Sequence, residues 1–142
     1  MAENFAGFSP SSGLPRQRAM SFTEAVRTCW MEKFSRFEGR ASRSEYWWNY
    51  LAVAVGNVVL STLAPTSVLF AVLAFVYGVA AFIVMLTAAT RRLHDTGRSG
   101  WWQLLGITII GAIPLLYFLC KASEQSPNQY GDIPCLETAG WA

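Results

Sequence analysis

Polar and apolar positions separate along this chain in long blocks. From residue 46 to residue 90, and again from 101 to 120, there is no Lys, Arg, Asp, Glu or His. Apolar residues in these blocks run together instead of alternating at a strand or surface-helix period. Uncharged apolar runs of about 18 residues or more read as transmembrane helices. Pro65, in "STLAPTS", breaks the first block at a tight turn. Three spans follow: residues 46–63, about 27 Å long at 1.5 Å per residue; 68–90, about 34 Å; and 101–120, about 30 Å. Gly106, Gly111 and Pro114 weaken the third, which reads as a kinked span or a re-entrant hairpin.

Before the first span, "SFTEAVRTCWMEKFSRFEG" places Phe22, Val26, Cys29, Trp30, Phe34 and Phe37 at helical spacing, with Arg27, Glu32, Lys33 and Arg36 between them. The pattern predicts an interfacial amphipathic helix over 21–38, opened by a Ser21–Glu24 capping box and closed by Gly39. Docking of this helix on the protein's own membrane domain fits the pattern equally well. A second capping box, Ser42–Glu45, opens the first span. The fold class is thus all-α: an integral membrane protein with three transmembrane helices and an N-terminal interfacial helix. Residues 1–20 form a disordered extension, 21–121 the membrane domain and 122–142 a polar tail.

Composition supports this. The chain of 142 residues is 53% hydrophobic and 14% charged, against about 25% charged in a soluble domain. The first 20 residues lack an apolar core with a cleavage site, so the spans are expected to persist in the mature chain. Basic residues set an orientation. Seven precede the first span, Arg91, Arg92 and Arg98 follow the second, and none lies in the turn between them. Both basic segments are therefore expected in the cytoplasm and the tail outside; the main rival returns the third segment to the cytoplasmic face. Asn57 in the first span is expected to find a partner within the bundle, and Ala52-xxx-Gly56 and Ala74-xxx-Gly78 to let helices approach closely. The cysteines, Cys29, Cys120 and Cys135, have no metal-type spacing and read as apolar fillers and one tail residue.

The chemistry gathers at one membrane face, in "RFEGRASRSEYWW" and "RRLHDTGRSGWW". Each puts arginines before a tryptophan pair, Trp47 and Trp48 in one, Trp101 and Trp102 in the other, and tryptophan prefers headgroup depth. These four are candidate interface anchors. Arg40, Arg43, Arg91, Arg92 and Arg98 are candidates for an anion or lipid-headgroup site, since the guanidinium fork matches phosphate. Glu45, His94 and Asp95 would organise that patch. Alternatively, the acids pair with the arginines and only hold the protein's own helices together. A catalytic reading of His94 and Asp95 is weak, because adjacent helical residues do not face each other and no nucleophile motif accompanies them. No metal, cofactor or nucleic acid is implied. Membrane lipids, possible self-association and a membrane partner protein are the expected interactions. A transporter is disfavoured because the charges sit at the span ends and not at mid-membrane depth.

"FEGRASRSEYWW", "RRLHDTGRSGWWQLL", "IPLLYFL" and "PNQYGDIP", in this order, resemble the bacterial inner-membrane family catalogued as domain of unknown function 805, over roughly residues 30 to 134. The resemblance implies a small multi-spanning inner-membrane protein with no established activity. It marks Gly39, Arg40, Arg43, Tyr46, Trp47, Arg92, Leu93, His94, Asp95, Arg98, Trp101, Trp102, Asn128, Tyr130 and Gly131 as the family's distinctive positions.

Overall fold

The computed structural model describes residues 18–134, and the predicted disorder of the extension falls outside them except for Arg18 to Met20. Within them the chain is helical: the one β feature is an isolated bridge between Asn128 and Gly131. Helix α1 (Phe22–Arg27) carries the predicted capping box, Ser21 and Glu24 each accepting the other's backbone N–H. It runs into a π-helical turn, Thr28–Glu32, and stops there. The expectation of a helix to residue 38 is corrected accordingly. Gly39, at φ +86, redirects a loop and does not cap the helix. The α1 segment is docked against the next helix, α2 (Arg43–Leu63). Phe22 meets Trp48 edge-on at 5.8 Å, and Trp30 donates to the Asn49 carboxamide at 3.1 Å.

Helix α2 and helix α3 (Val68–Asp95) form an antiparallel pair, joined by a short 3-10 turn, Ala64–Thr66, that contains Pro65. Both are long and apolar enough to cross a membrane, and only a small part of each apolar window is buried. Val55, Val58, Val59, Leu69, Phe75, Val76 and Phe82 all face outward. A lone soluble domain would not expose so much contiguous apolar surface, whereas a bilayer covers it. At 28 residues α3 is about 42 Å long, longer than a hydrocarbon core of about 30 Å. Its last turn, with Arg91 to Asp95, extends beyond the apolar part. Gly56 lets Tyr77 of α3 approach, since a Cβ there would fall 2.1 Å from the tyrosine oxygen, but Gly78 has open space. Asn57 is exposed, contrary to expectation, and the amide inside the bundle is that of Asn49.

Residues 101–120 form two arms, not one span. A 3-10 helix, Gly100–Ile107, is followed at Thr108 by α4 (Ile109–Cys120). The arms measure about 16 and 18 Å by their rises, each roughly half a bilayer core. They fold against each other: Trp102 at one base meets Phe118 at the other, ring centroids 5.4 Å apart. Gly111 makes this possible, because a Cβ there would lie 2.3 Å from the Leu105 carbonyl oxygen. Thr108 caps α4 by accepting from the Gly111 N–H. The hairpin returns the chain to the end of α3 from which it left, so the tail through Pro134 packs on the Arg91–Asp95 end and not at the opposite one. Of the two readings of residues 101–120, the structure has the re-entrant hairpin and not the third full span.

This arrangement fixes a labelling pattern. In a background with its three cysteines replaced by serine, single cysteines at Ser99 and Gln125 should react with an impermeant maleimide from the same membrane side, and Thr66 from the other. Three full spans would instead put Gln125 with Thr66.

Candidate functional site

The arginines meet where five segments converge: the loop before α2, the start of α2, the end of α3, the end of α4 and the tail. The positive φ of Gly39 turns Arg40 inward, and the Ala41 N–H donates to the Arg91 carbonyl at 3.0 Å, tying the loop to α3. Asp95 is the centre. One of its carboxylate oxygens accepts from Arg40 Nε at 3.0 Å, and the other from Arg92 Nη1. All three side chains are fully buried.

Each remaining donor of these two arginines reaches a carbonyl. Arg40 donates to Ser126 and Glu124 at 2.7 Å each, and at 3.4 Å to Gly131 and to Asp95's own backbone. Arg92 donates to Leu119 at 3.0 Å, to Lys121, and to Ala41 at 3.5 Å. Arg92 thereby caps the C-terminal end of α4, while Arg40 fastens the tail. The Glu124 N–H donates in turn to the Asp95 carbonyl at 3.1 Å.

A second pair sits alongside. Arg91 donates to the Glu45 carboxylate, and its other terminal nitrogen lies 3.7 Å from Cys29 Sγ. Arg91 Nε is buried without a partner among the described residues. Ser42 caps α2 as expected, accepting from the Glu45 N–H at 3.1 Å, but the Glu45 carboxylate serves Arg91 and does not complete the capping box. Burial first, and the Glu45 carboxylate second, push the Cys29 thiol up to about 11.

Charge counting separates the two sequence readings of this patch. Three buried arginines, Arg40, Arg91 and Arg92, face two buried acids, Glu45 and Asp95, leaving one excess positive charge. The C-terminal ends of α3 and α4 both lie here, and each contributes about half a negative charge. The cluster is balanced from within: the forks of Arg40 and Arg92 point at the protein's own oxygens, and Arg91 divides its terminal nitrogens between Glu45 and Cys29 Sγ. Such internal partners are what the helix-holding reading of the patch requires.

Arg98 is half-buried, its guanidinium 3.7 Å above the Phe118 ring and 5.9 Å from Trp102. Arg43 is exposed and, with Arg18, Ser42 and Ser44, borders a shallow depression of about 200 Å³. His94 shares a 3.2 Å hydrogen bond with the Gly39 carbonyl and stacks on Tyr130 at 3.8 Å with the rings parallel. Of the candidate anchors, Trp47 packs on Tyr46 and Tyr50, Trp48 on Phe22 and Trp102 on Phe118, while Trp101 is 79% exposed. Direct reading of the residues gave no site role to Cys29, Asn49, Glu124 or the capped carbonyls of Leu119 and Lys121. Asn128 holds the tail with bonds to the His94 carbonyl at 2.9 Å and Glu124 at 2.7 Å. Asn128, Tyr130 and Gly131 were marked through the family resemblance.

The family model described as "Protein of unknown function (DUF805)" matches residues 34–132. This chain belongs to that family. It is 37% identical over 106 residues to inner membrane protein YhaI of Escherichia coli K12, covering 73% of this chain and 90% of that one. It is 34% identical over 113 residues to inner membrane protein YhaH of the same strain, covering 75% and 93%. No solved structure matches. The matched region runs from Phe34, whose carbonyl accepts from Thr87, through the tail that Arg40 fastens. It therefore contains every side chain of the cluster except Cys29.

Two outcomes test this geometry. Asp95→Ala strands two buried guanidiniums and should cost about 3–5 kcal/mol, seen as a large fall in the melting temperature in detergent. Arg43→Ala should stay within about 0.5 kcal/mol. Since the thiolate is the reactive form, Cys29 should resist N-ethylmaleimide at neutral pH until the protein is denatured, whereas the exposed Cys120 reacts in the native state.

Proposed function

We propose that this chain is a small, non-catalytic inner-membrane protein whose arginine cluster is an internal clamp, and whose two spans and half-membrane hairpin form a rigid platform for a membrane-embedded ligand or partner. The observation that carries this reading is that Asp95 joins two buried arginines whose other donors all end on the chain's own carbonyls. The inner-membrane placement rests on the relatives' names, YhaI and YhaH. On the basic-residue rule, the clamp faces the cytoplasm, with both the N-terminal segment and the tail on that side. A clamp needs no substrate: it fixes the height and rotation of α2, α3 and the hairpin. Self-association through the exposed apolar faces of α2 and α3 is compatible with this platform.

A second reading keeps an anionic headgroup but moves it to Arg43, which points outward beside Arg18 and two serines. Native mass spectrometry of protein purified with its lipids separates the two. Under the clamp reading, Arg92→Lys loses the bidentate fork and lowers thermal stability while bound phosphatidylglycerol is unchanged. If Arg92→Lys strips phosphatidylglycerol without loss of stability, the clamp reading is wrong. Loss of that lipid on Arg43→Ala alone supports the second reading.

A further inference from the structure

A groove of about 500 Å³ runs between α3 and the first arm of the hairpin, within the range of about 300–1,000 Å³ common for small-molecule sites. One wall is a single face of α3: Leu86, Thr90 and His94, spaced four apart and descending about 12 Å toward the clamp. The other is Trp101, Gln103 and Leu104 of the 3-10 arm. Gly100 sets how closely the arm approaches, since a Cβ there would lie 2.6 Å from the Thr90 methyl.

Midway along the walls, the Gln103 amide nitrogen and the Thr90 hydroxyl are bonded to each other and to backbone. Gln103 donates to Thr90 at 2.5 Å and to the Gly100 carbonyl at 3.2 Å, and Thr90 donates to the Leu86 carbonyl at 2.9 Å. What remains for a ligand is hydrocarbon contact along the length of the groove. The polar groups are graded. Leu86 and Leu104 line the part farther from the clamp, while His94 and the Ser99 hydroxyl stand at the clamp end. The His94 ring is held from behind by Tyr130 and on one side by Gly39, so its position is fixed.

We propose that this groove binds the hydrocarbon chain of a single-chain amphiphile, a fatty acid or a lysophospholipid, with its oxygen-bearing head beside His94 and Ser99. The site uses none of the clamp arginines. It rests on the hairpin reading of residues 101–120 but not on the role assigned to the arginines, so an intact clamp with an empty groove, or the reverse, is separately visible.

The test uses the full chain in maltoside detergent, with palmitate and lysophosphatidylglycerol as separate probes in native mass spectrometry. Leu104→Trp fills the groove from an exposed position. Leu69→Trp, also exposed, at the far end of α3, is the control. Both should keep the wild-type melting temperature. Leu104→Trp should weaken binding at least about tenfold, and Leu69→Trp should not. Loss of palmitate binding assigns a free fatty acid, and loss of lysophosphatidylglycerol alone assigns a headgroup-bearing lipid. Equal binding of both probes to wild type and Leu104→Trp overturns the proposal. Should Leu104→Trp not fold, quenching of wild-type tryptophan fluorescence by dibrominated palmitate replaces it. The proposal then requires saturable quenching that Trp101→Phe sharply reduces, and unsaturable or unchanged quenching rejects it.

Discussion

The structure turns on one carboxylate. Asp95 sits at the last turn of α3 with both oxygens taken by buried guanidiniums, one from the loop before α2 and one from its own helix three residues earlier. Each of those guanidiniums continues to a different part of the chain, Arg40 to the tail and Arg92 to the end of α4. Four segments far apart in sequence therefore share one electrostatic anchor. Removing water from such ions costs several kcal/mol each, and the cost is offset only if every donor and acceptor finds a partner. That condition explains why so many backbone carbonyls converge here and why the tail folds inward.

The anchor also explains the shape of the hairpin. An arm of about 18 Å cannot cross a bilayer, so its C-terminal carbonyls end back at the polar face. There Arg92 supplies the donors that a helix end otherwise lacks. Gly111 and Gly100 permit the two close approaches, of arm to arm and of arm to α3. Charge and shape act together: the glycines allow the hairpin to fold up, and Arg92 holds its end. The groove between the arm and α3 is a by-product of that geometry, and its internally bonded Gln103 and Thr90 leave it apolar.

Much of this was legible in the sequence, for identifiable reasons. Two long apolar helices were marked by the absence of charge from residue 46 to 90, and both N-caps by Ser21 and Ser42. The convergence of arginines and acids was marked by their placement at span ends of the same face. Whether residues 101–120 cross or double back stayed open because hydropathy records that a segment is apolar, not the path it takes. The glycines and proline at 106, 111 and 114 were the only hint. The arginines read as an anion site because a fork that fits phosphate fits carboxylate and carbonyl equally well. Sequence spacing does not show that Glu124 and Ser126 offer their backbone to Arg40, since any residue carries that carbonyl. Asn57 drew notice as a polar residue in a span, yet Asn49 is the one whose amide lies between Trp30 and Met85, a difference of helical phase.

The central claim, that buried arginines fasten the tail to the membrane domain, is tested most directly by hydrogen exchange on peptides covering residues 122–134. The amides of Glu124, Asn128 and Gly131 donate within the fold. They should be protected in the wild type, and Arg40→Ala should release them while the apolar spans stay protected. Exchange of this segment at the rate of an unstructured chain in the wild-type protein would contradict the account.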